Sequence, residues 1–314
     1  MRTNPTQSCS SVVVIGLALS GLASGAAPQP NAGWWMLDEG SGTVAQDRSG
    51  NGRHGTIEGS PPWTTPGWEG WGACLQFGGD AARVNVESFD VTGTGITLAA
   101  WIRPVSYKGD ARIISKTEGG ATSEHYWAML LGTVGNTTED RIQFRLRTDT
   151  GGGATAVVAP AGNEIPLAEW SHVAVTWDAS DATKRFYTNG VEVHSASKAG
   201  GAVATSAGKN IGIGNQSISA GAGSIIRPFD GLVDDVRIYD YALSADEMVE
   251  LLVAVFPARA SAPSPANGAE DVSLAIFLDW TPGINAENHD VYLGTVFDDV
   301  NDATTANPLG VLVS

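Results

Sequence analysis

The sequence predicts an all-β protein, an antiparallel two-sheet sandwich carrying one short helix towards its C-terminal side, with part of a second β-sandwich behind it. Three observations lead there. About fourteen short apolar or alternating runs follow one another from Gly33 onward, with Gly, Asn and Asp between them and no helical segments. Gly is abundant at 39 residues, as tight turns require. Hydrophobic residues make up 42% and charged residues 17%, which favours a folded chain with a substantial core.

In chain order the expected strands are 34–38, 55–58, 73–77, 83–86, 96–104, 112–116, 126–131, 141–147, 154–158, 171–178, 184–188, 191–194, 210–214 and 232–239. Asn189-Gly190 between two alternating runs signals a hairpin with a type I′ turn. Val173, Val175 and Trp177 alternate with His172, Ala174 and Thr176, so His172 lies off the large-apolar face and reads as a structural hydrogen-bonder. Ser244 with Glu247 forms a capping box, and Met248, Leu251, Leu252 and Val255 supply the apolar stripe of the helix.

The chain divides into four expected parts. Arg2, the apolar run 12–19 and the small residues 23–27 read as an export signal over 1–26, which implies a secreted or cell-surface protein. The sandwich occupies 31–256. A Pro/Ser/Ala-rich linker covers 257–265, and 266–314 holds strand-like runs too few for a complete immunoglobulin-type domain. The apolar run is too short for a membrane span. A formal charge of −16 argues against nucleic acid or anionic lipid as partners and is compatible with divalent cations. Cys9 leaves with the signal, so Cys74 remains alone and reads as a small buried hydrophobe.

One acid stands out. In the strand through Leu232, Asp234, Val236 and Ile238, strict alternation places all four on one face, and three are apolar. Asp234 therefore needs donors or a metal to offset the cost of burial, whereas Asp235 faces the other side and is expected to be solvated.

Ordered motifs carry a family resemblance. Trp35-Met36-Leu37-Asp38-Glu39-Gly40-Ser41-Gly42-Thr43, Asp47 to Gly55, Leu75-Gln76-Phe77-Gly78-Gly79-Asp80 and Ile96 to Pro104 come first. Trp170 to Asp178, Phe186-Tyr187-Thr188-Asn189-Gly190, Phe229 to Asp240 and Tyr241-Ala242-Leu243-Ser244 complete the series. Together they resemble the LamG-like jelly-roll family of the concanavalin A-like lectin/glucanase superfamily. The tail, through Trp280-Thr281-Pro282-Gly283 and His289 to Thr295, resembles fibronectin type III or related immunoglobulin-like repeats.

The resemblance implies a jelly-roll fold and a structural calcium held partly by Asp234. Asp47 and Asn51 are candidate co-ligands, with Asp38 and Asp80 weaker ones; the alternative has Asp234 accepting backbone N–H bonds and Asp47 capping a turn. For carbohydrate, Trp63, Trp68 and Trp71 crowd the Pro/Gly-rich loop 61–72, with Tyr107, Tyr126 and Trp127 in or beside loops that could reach the same rim. The competing expectation is that the loop tryptophans plug one end of the sandwich. The paired glutamates of the related glucanases are missing from the pattern, no nucleophile elbow or zinc-type cluster appears, and His54, His125, His194 and His289 are scattered singly. The expected function is a secreted, non-catalytic module binding glycan or an extracellular protein. The alternatives are an interaction spacer of a larger surface protein and a glycoside hydrolase.

Overall fold

A computed structural model describes residues 28–254, apart from 69, 71, 120, 133–139, 151, 207 and 218–226, together with 261–264 and 279–281. The expected signal segment 1–26, most of the linker and nearly all of the tail domain lie outside the described residues.

The strands are β1 (Gly33–Trp35), β2 (Val44–Ala45), β3 (Gly55–Glu58), β4 (Trp63–Thr64), β5 (Cys74–Gly78), β6 (Arg83–Val86), β7 (Gly95–Pro104) and β8 (Ala111–Thr117). After a short 3-10 turn follow β9 (His125–Leu131), β10 (Ile142–Leu146), β11 (Thr155–Val158), β12 (Ser171–Asp178), β13 (Thr183–Thr188), β14 (Val191–Ser197), β15 (Ile211–Ile213) and β16 (Asp230–Tyr239). They form two antiparallel sheets. The first runs β14-β13-β12-β7-β16-β5-β4 with β1 also on β16, and the second runs β11-β10-β9-β8-β15-β6-β3-β2. Sequence-distant strands such as β7 and β16 sit side by side, the crossover that makes the sandwich a jelly roll rather than a meander.

The core lies between the sheets. Leu98, Ala100 and Ile102 of β7, Val173, Val175 and Trp177 of β12, and Phe186 of β13 face Trp127, Met129 and Leu131 of β9 and Ile142, Phe144 and Leu146 of β10. Lys184 is buried beside them, its Nζ donating to the Thr155 carbonyl at 2.7 Å and to Thr155 Oγ1 at 2.9 Å. The outer face of the first sheet is covered at one end by helix α1 (Ala245–Ala254), whose Met248 and Leu251 pack with Leu243 on Ala99, Ala174, Tyr187 and Tyr239. Ser244 caps that helix as its capping box predicts, accepting from Glu247 N at 3.3 Å while its own N–H donates to Glu247 Oε2 at 2.8 Å. The hairpin turn also forms as expected, with Asn189 and Gly190 at φ 50 and 76.

Residues from Val253 onward belong to a separate compact unit, of which two antiparallel strands, Ser261–Ser264 and Asp279–Thr281, are described. None of the described helices is long and apolar enough to cross a membrane.

Candidate functional site

Among the described residues the aromatic candidates do not assemble into an open platform. Trp127 is on β9, not in a loop, and its inward position leaves it 1% exposed in the core. Trp68 is 9% exposed and stacks on Trp101, with centroids 3.7 Å apart and planes 10° from parallel. Trp63 is half-buried against the core and donates from Nε1 to the Gly42 carbonyl at 3.1 Å. Tyr107 also packs on the core, its hydroxyl donating to the Ile165 carbonyl at 2.6 Å. Trp71 lies outside the described residues. Trp63 thus packs against the core, and Trp68 packs against the outer face of the first sheet.

The acids of β16 differ from the alternation reading in one respect with a clear cause. Asp234 pairs with Trp101 and Arg237 with Ala99, so β16 spends three steps where β7 spends two. The extra residue is a β-bulge, and Asp235 at its centre has φ 45. The bulge reverses parity: Val233, Val236 and Ile238 face the core, while Asp234 shares the outer face with Trp101. Asp234 is nonetheless buried, accepting from Trp68 N at 3.0 Å and from Asp235 N at 2.9 Å. Asp235 is not solvated. At 3% exposure it accepts from Trp34 Nε1 at 2.7 Å and Arg237 Nε at 2.9 Å, and pairs with the Arg237 Nη2 at 2.7 Å. His172 is buried on the same face at the edge of the Trp101 ring, and its Nδ1 has no hydrogen-bond partner among the described residues. Burial, reinforced by Arg237, pushes its pKa down to about 3.

The expected calcium ligands are each tied to the chain. Asp47 accepts from Trp34 N at 3.1 Å, Ser49 N at 2.9 Å and Arg53 N at 2.9 Å, an Asx-turn arrangement. Asn51 donates to the Asn31 carbonyl and to Ser49 Oγ, both at 2.9 Å. Asp38 accepts from Ala73 N at 3.2 Å and Asp80 from Ala82 N at 2.8 Å. Calcium takes six to eight oxygens, backbone carbonyls and water among them. Among the described residues no group of three His, Cys, Asp or Glu is placed to hold a cation by side chains alone.

The second sheet presents a different surface. Alternation sends Ile142, Phe144 and Leu146 of β10 inward, so Gln143 and Arg145 point outward. Register carries this across the sheet: Asn85, Gly212, Ser115, Ala128 and Arg145 form one transverse row, and Arg112, Leu130 and Gln143 the next. A Cβ on Gly212 would strike the backbone of Asn215, Gln216 and Ser217, so only glycine lets that segment cross the face.

At one side of this face three guanidinium groups gather around a single carboxylate. Arg145 donates from Nη2 to Asp110 Oδ1, while Arg112 Nη1 and Arg227 Nε lie 3.9 and 3.7 Å from Asp110 Oδ2. Arg112 Nη1 also donates to the Asp110 carbonyl at 2.6 Å, and Arg145 Nε to Gln143 Oε1 at 2.5 Å. His125 orients the pair: its Nδ1 lies 2.8 Å from the Ala121 carbonyl, and its Nε2 lies 2.8 Å from Arg112 Nη2. That pattern makes Nδ1 the donor and Nε2 the acceptor, a neutral ring. Burial first, then Arg112 and Arg145, push the imidazole pKa down to about 3. Burial and the neighbouring Arg145 lower that of Arg112 to about 9. Arg112 is fully buried, yet its Nε, like that of Arg227, has no hydrogen-bond partner among the described residues; Ser115 Oγ is in the same position.

Sequence reasoning left these residues out. His125 reads as an isolated histidine until the fold brings it to Arg112 and Arg145. The signal was present in Arg141-Ile142-Gln143-Phe144-Arg145-Leu146-Arg147, whose polar positions must share the face away from the core.

Comparisons with known proteins place this geometry in context. Domain 4 of AbnA, an extracellular GH43 arabinanase from Geobacillus stearothermophilus solved with arabinotriose, is similar at a TM-score of 0.51 and 19% identity, over 70% of this chain and 97% of that one. The binding domain of Paraclostridial Mosquitocidal Protein 1 is similar at 0.53 and 14% identity, over 75% of this chain and 54% of that one. Trypanosoma rangeli sialidase follows at 0.50 and 15%, with 79% of this chain and 36% of the sialidase covered. At such identities the likeness is one of fold. No curated protein matches the chain in sequence. The family model described as the concanavalin A-like lectin/glucanases superfamily matches residues 77–248, more than half of the chain. With its two antiparallel sheets and crossed strand order, the chain belongs to the concanavalin A-like lectin/glucanases superfamily.

Proposed function

We propose that the jelly-roll unit is a secreted, non-catalytic module that binds carbohydrate through the outer face of its second sheet. One observation carries the reading: on that face Arg112 and Arg145 are buried with polar partners around them, and Arg112 Nε still lacks an acceptor among the described residues. Buried donors are rarely left unmatched, and a ligand's oxygens are the natural complement. The arabinanase domain, solved with a trisaccharide on a similar fold, supports the same reading. At the cluster the carboxylate is Asp110, engaged by Arg145, whereas glycoside hydrolysis requires two carboxyl groups in separate roles. A structural calcium at Asp234 rests on the sequence pattern alone, and the backbone N–H donors on Asp234 and Asp47 oppose it.

The test is a glycan array probed with the full chain, its folding checked by circular dichroism. Saturable binding to a defined group of glycans is expected. A folded protein that binds none sinks the proposal, and release of oligosaccharides from any bound polymer overturns its non-catalytic part.

A further inference from the structure

The second-sheet cluster carries more positive charge than its surroundings account for. The chain as a whole has a formal charge of −16, yet among the described residues Arg112, Arg145 and Arg227 converge on Asp110 alone. His125, which contacts two of the three arginines, accepts from Arg112 and so contributes no compensating charge. Gln143, the other polar partner, is neutral. Among the described residues one carboxylate therefore faces three guanidinium groups. Buried charge of one sign is costly unless matched, so the cluster calls for a further anion.

The geometry narrows which anion. Arg145 and Arg112 are 3% and 0% exposed, whereas Arg227 keeps 30% of its side chain exposed and forms the solvent-facing side. Among the described residues, the Nε of Arg112 and that of Arg227 are the cluster's donors without a hydrogen-bond acceptor. Guanidinium groups present planar pairs of N–H donors, which match the two coplanar oxygens of a carboxylate.

We infer that Arg112, Arg145 and Arg227 form a receptor for a carboxylate borne on a sugar ring, so that the glycan recognised is an acidic one. This rests on the carbohydrate-binding reading above and specifies its ligand class. Uronic and sialic acids both carry such a carboxylate; the group, not the ring, is what the cluster selects.

The experiment measures binding of the full chain to polygalacturonate, to its carboxyl-reduced counterpart, to a sialylated oligosaccharide and its desialylated form, to a sulfated polysaccharide, and to neutral arabinan. The expected result is at least tenfold tighter binding to one carboxylated member than to its neutral partner, weakening as salt is raised. Arg227→Ala, at the half-exposed position, should lower that affinity tenfold or more with little change in melting temperature, and Arg227→Lys should restore part of it. Equal binding of reduced and carboxylated glycans overturns this inference and leaves the carbohydrate reading standing. Preference for the sulfated polymer alone also overturns it. If a folded protein binds none of the probes or any other glycan, both fall together.

Discussion

The backbone N–H of Trp68 donates to Oδ2 of Asp234 at 3.0 Å, tying the tryptophan-rich loop to the strand that completes the first sheet. The same carboxylate accepts from the Asp235 N–H, so one buried acid serves two backbone donors. Asp234→Ala leaves both without it. The expected loss is about 2–4 kcal/mol, since hydrogen bonds to a charged group are the stronger kind and stranded donors add their own cost. Urea denaturation of the variant checks this, and a midpoint equal to wild type refutes it.

Asp235 and Arg237 form an ion pair with both side chains 4% exposed, under the Trp34 ring. Removing one member should cost more than removing both. Asp235→Ala is expected to destabilise by about 3–5 kcal/mol, because it strands a buried guanidinium, while Asp235→Ala with Arg237→Met should recover part of that. A double-mutant cycle measures the coupling.

Acid should weaken the fold. The His172 and His125 pKa values lie near about 3, against 6.5 for an ordinary imidazole. Between those values the unfolded chain binds protons that the folded chain refuses, so stability falls as pH drops from 6.5 towards 3. Lys184, lowered by burial to about 7 from 10.5, acts in the same sense in a higher window: stability rises as pH climbs from 7 towards 10.5. Denaturant midpoints across both windows should show these slopes. His172→Phe should flatten the acid limb and Lys184→Met the alkaline one; slopes unchanged in both variants would remove these groups as the cause.

A calcium ion held by Asp234 or Asp47 should make the melting temperature calcium-dependent, and an unchanged melting point after chelation would remove it. A cation bound only to the native state adds about 2.7 kcal/mol at 100-fold its dissociation constant, enough for a visible shift. Differential scanning calorimetry with chelator and with added calcium decides the matter, and a calcium-dependent rise restores the ion to Asp234 or Asp47.

Much of the fold was legible because local chemistry and global pairing agree. Asn189-Gly190 adopts the two left-handed conformations that its hairpin needs, and Ser244 with Glu247 closes the helix start it advertises. The sites were less legible, for two physical reasons. Alternation assumes an unbroken ladder, and the bulge at Asp235 breaks it. The spacing of Val233, Val236 and Ile238, three steps and then two, was the trace it left. The arginine cluster depends on pairing between β8, β9 and β10, so Asp110 and Arg145, 35 positions apart, meet only once those strands are in register, and Arg227 joins them from still farther along the chain. Trp127 misled because a tryptophan's type says nothing about which side of its strand it occupies.

The bulge also sets which mutations the strand can survive. Side-chain parity along β16 behaves like a reading frame, and the extra residue at Asp235 is a frameshift already written into it. Deleting Asp235 would leave a regular ladder in which Val233, Val236 and Ile238 still face the core, so its cost falls on the lost contacts of Asp235 with Trp34 and Arg237. A one-residue insertion or deletion in the regular part of the strand, by contrast, turns every side chain beyond it to the opposite face.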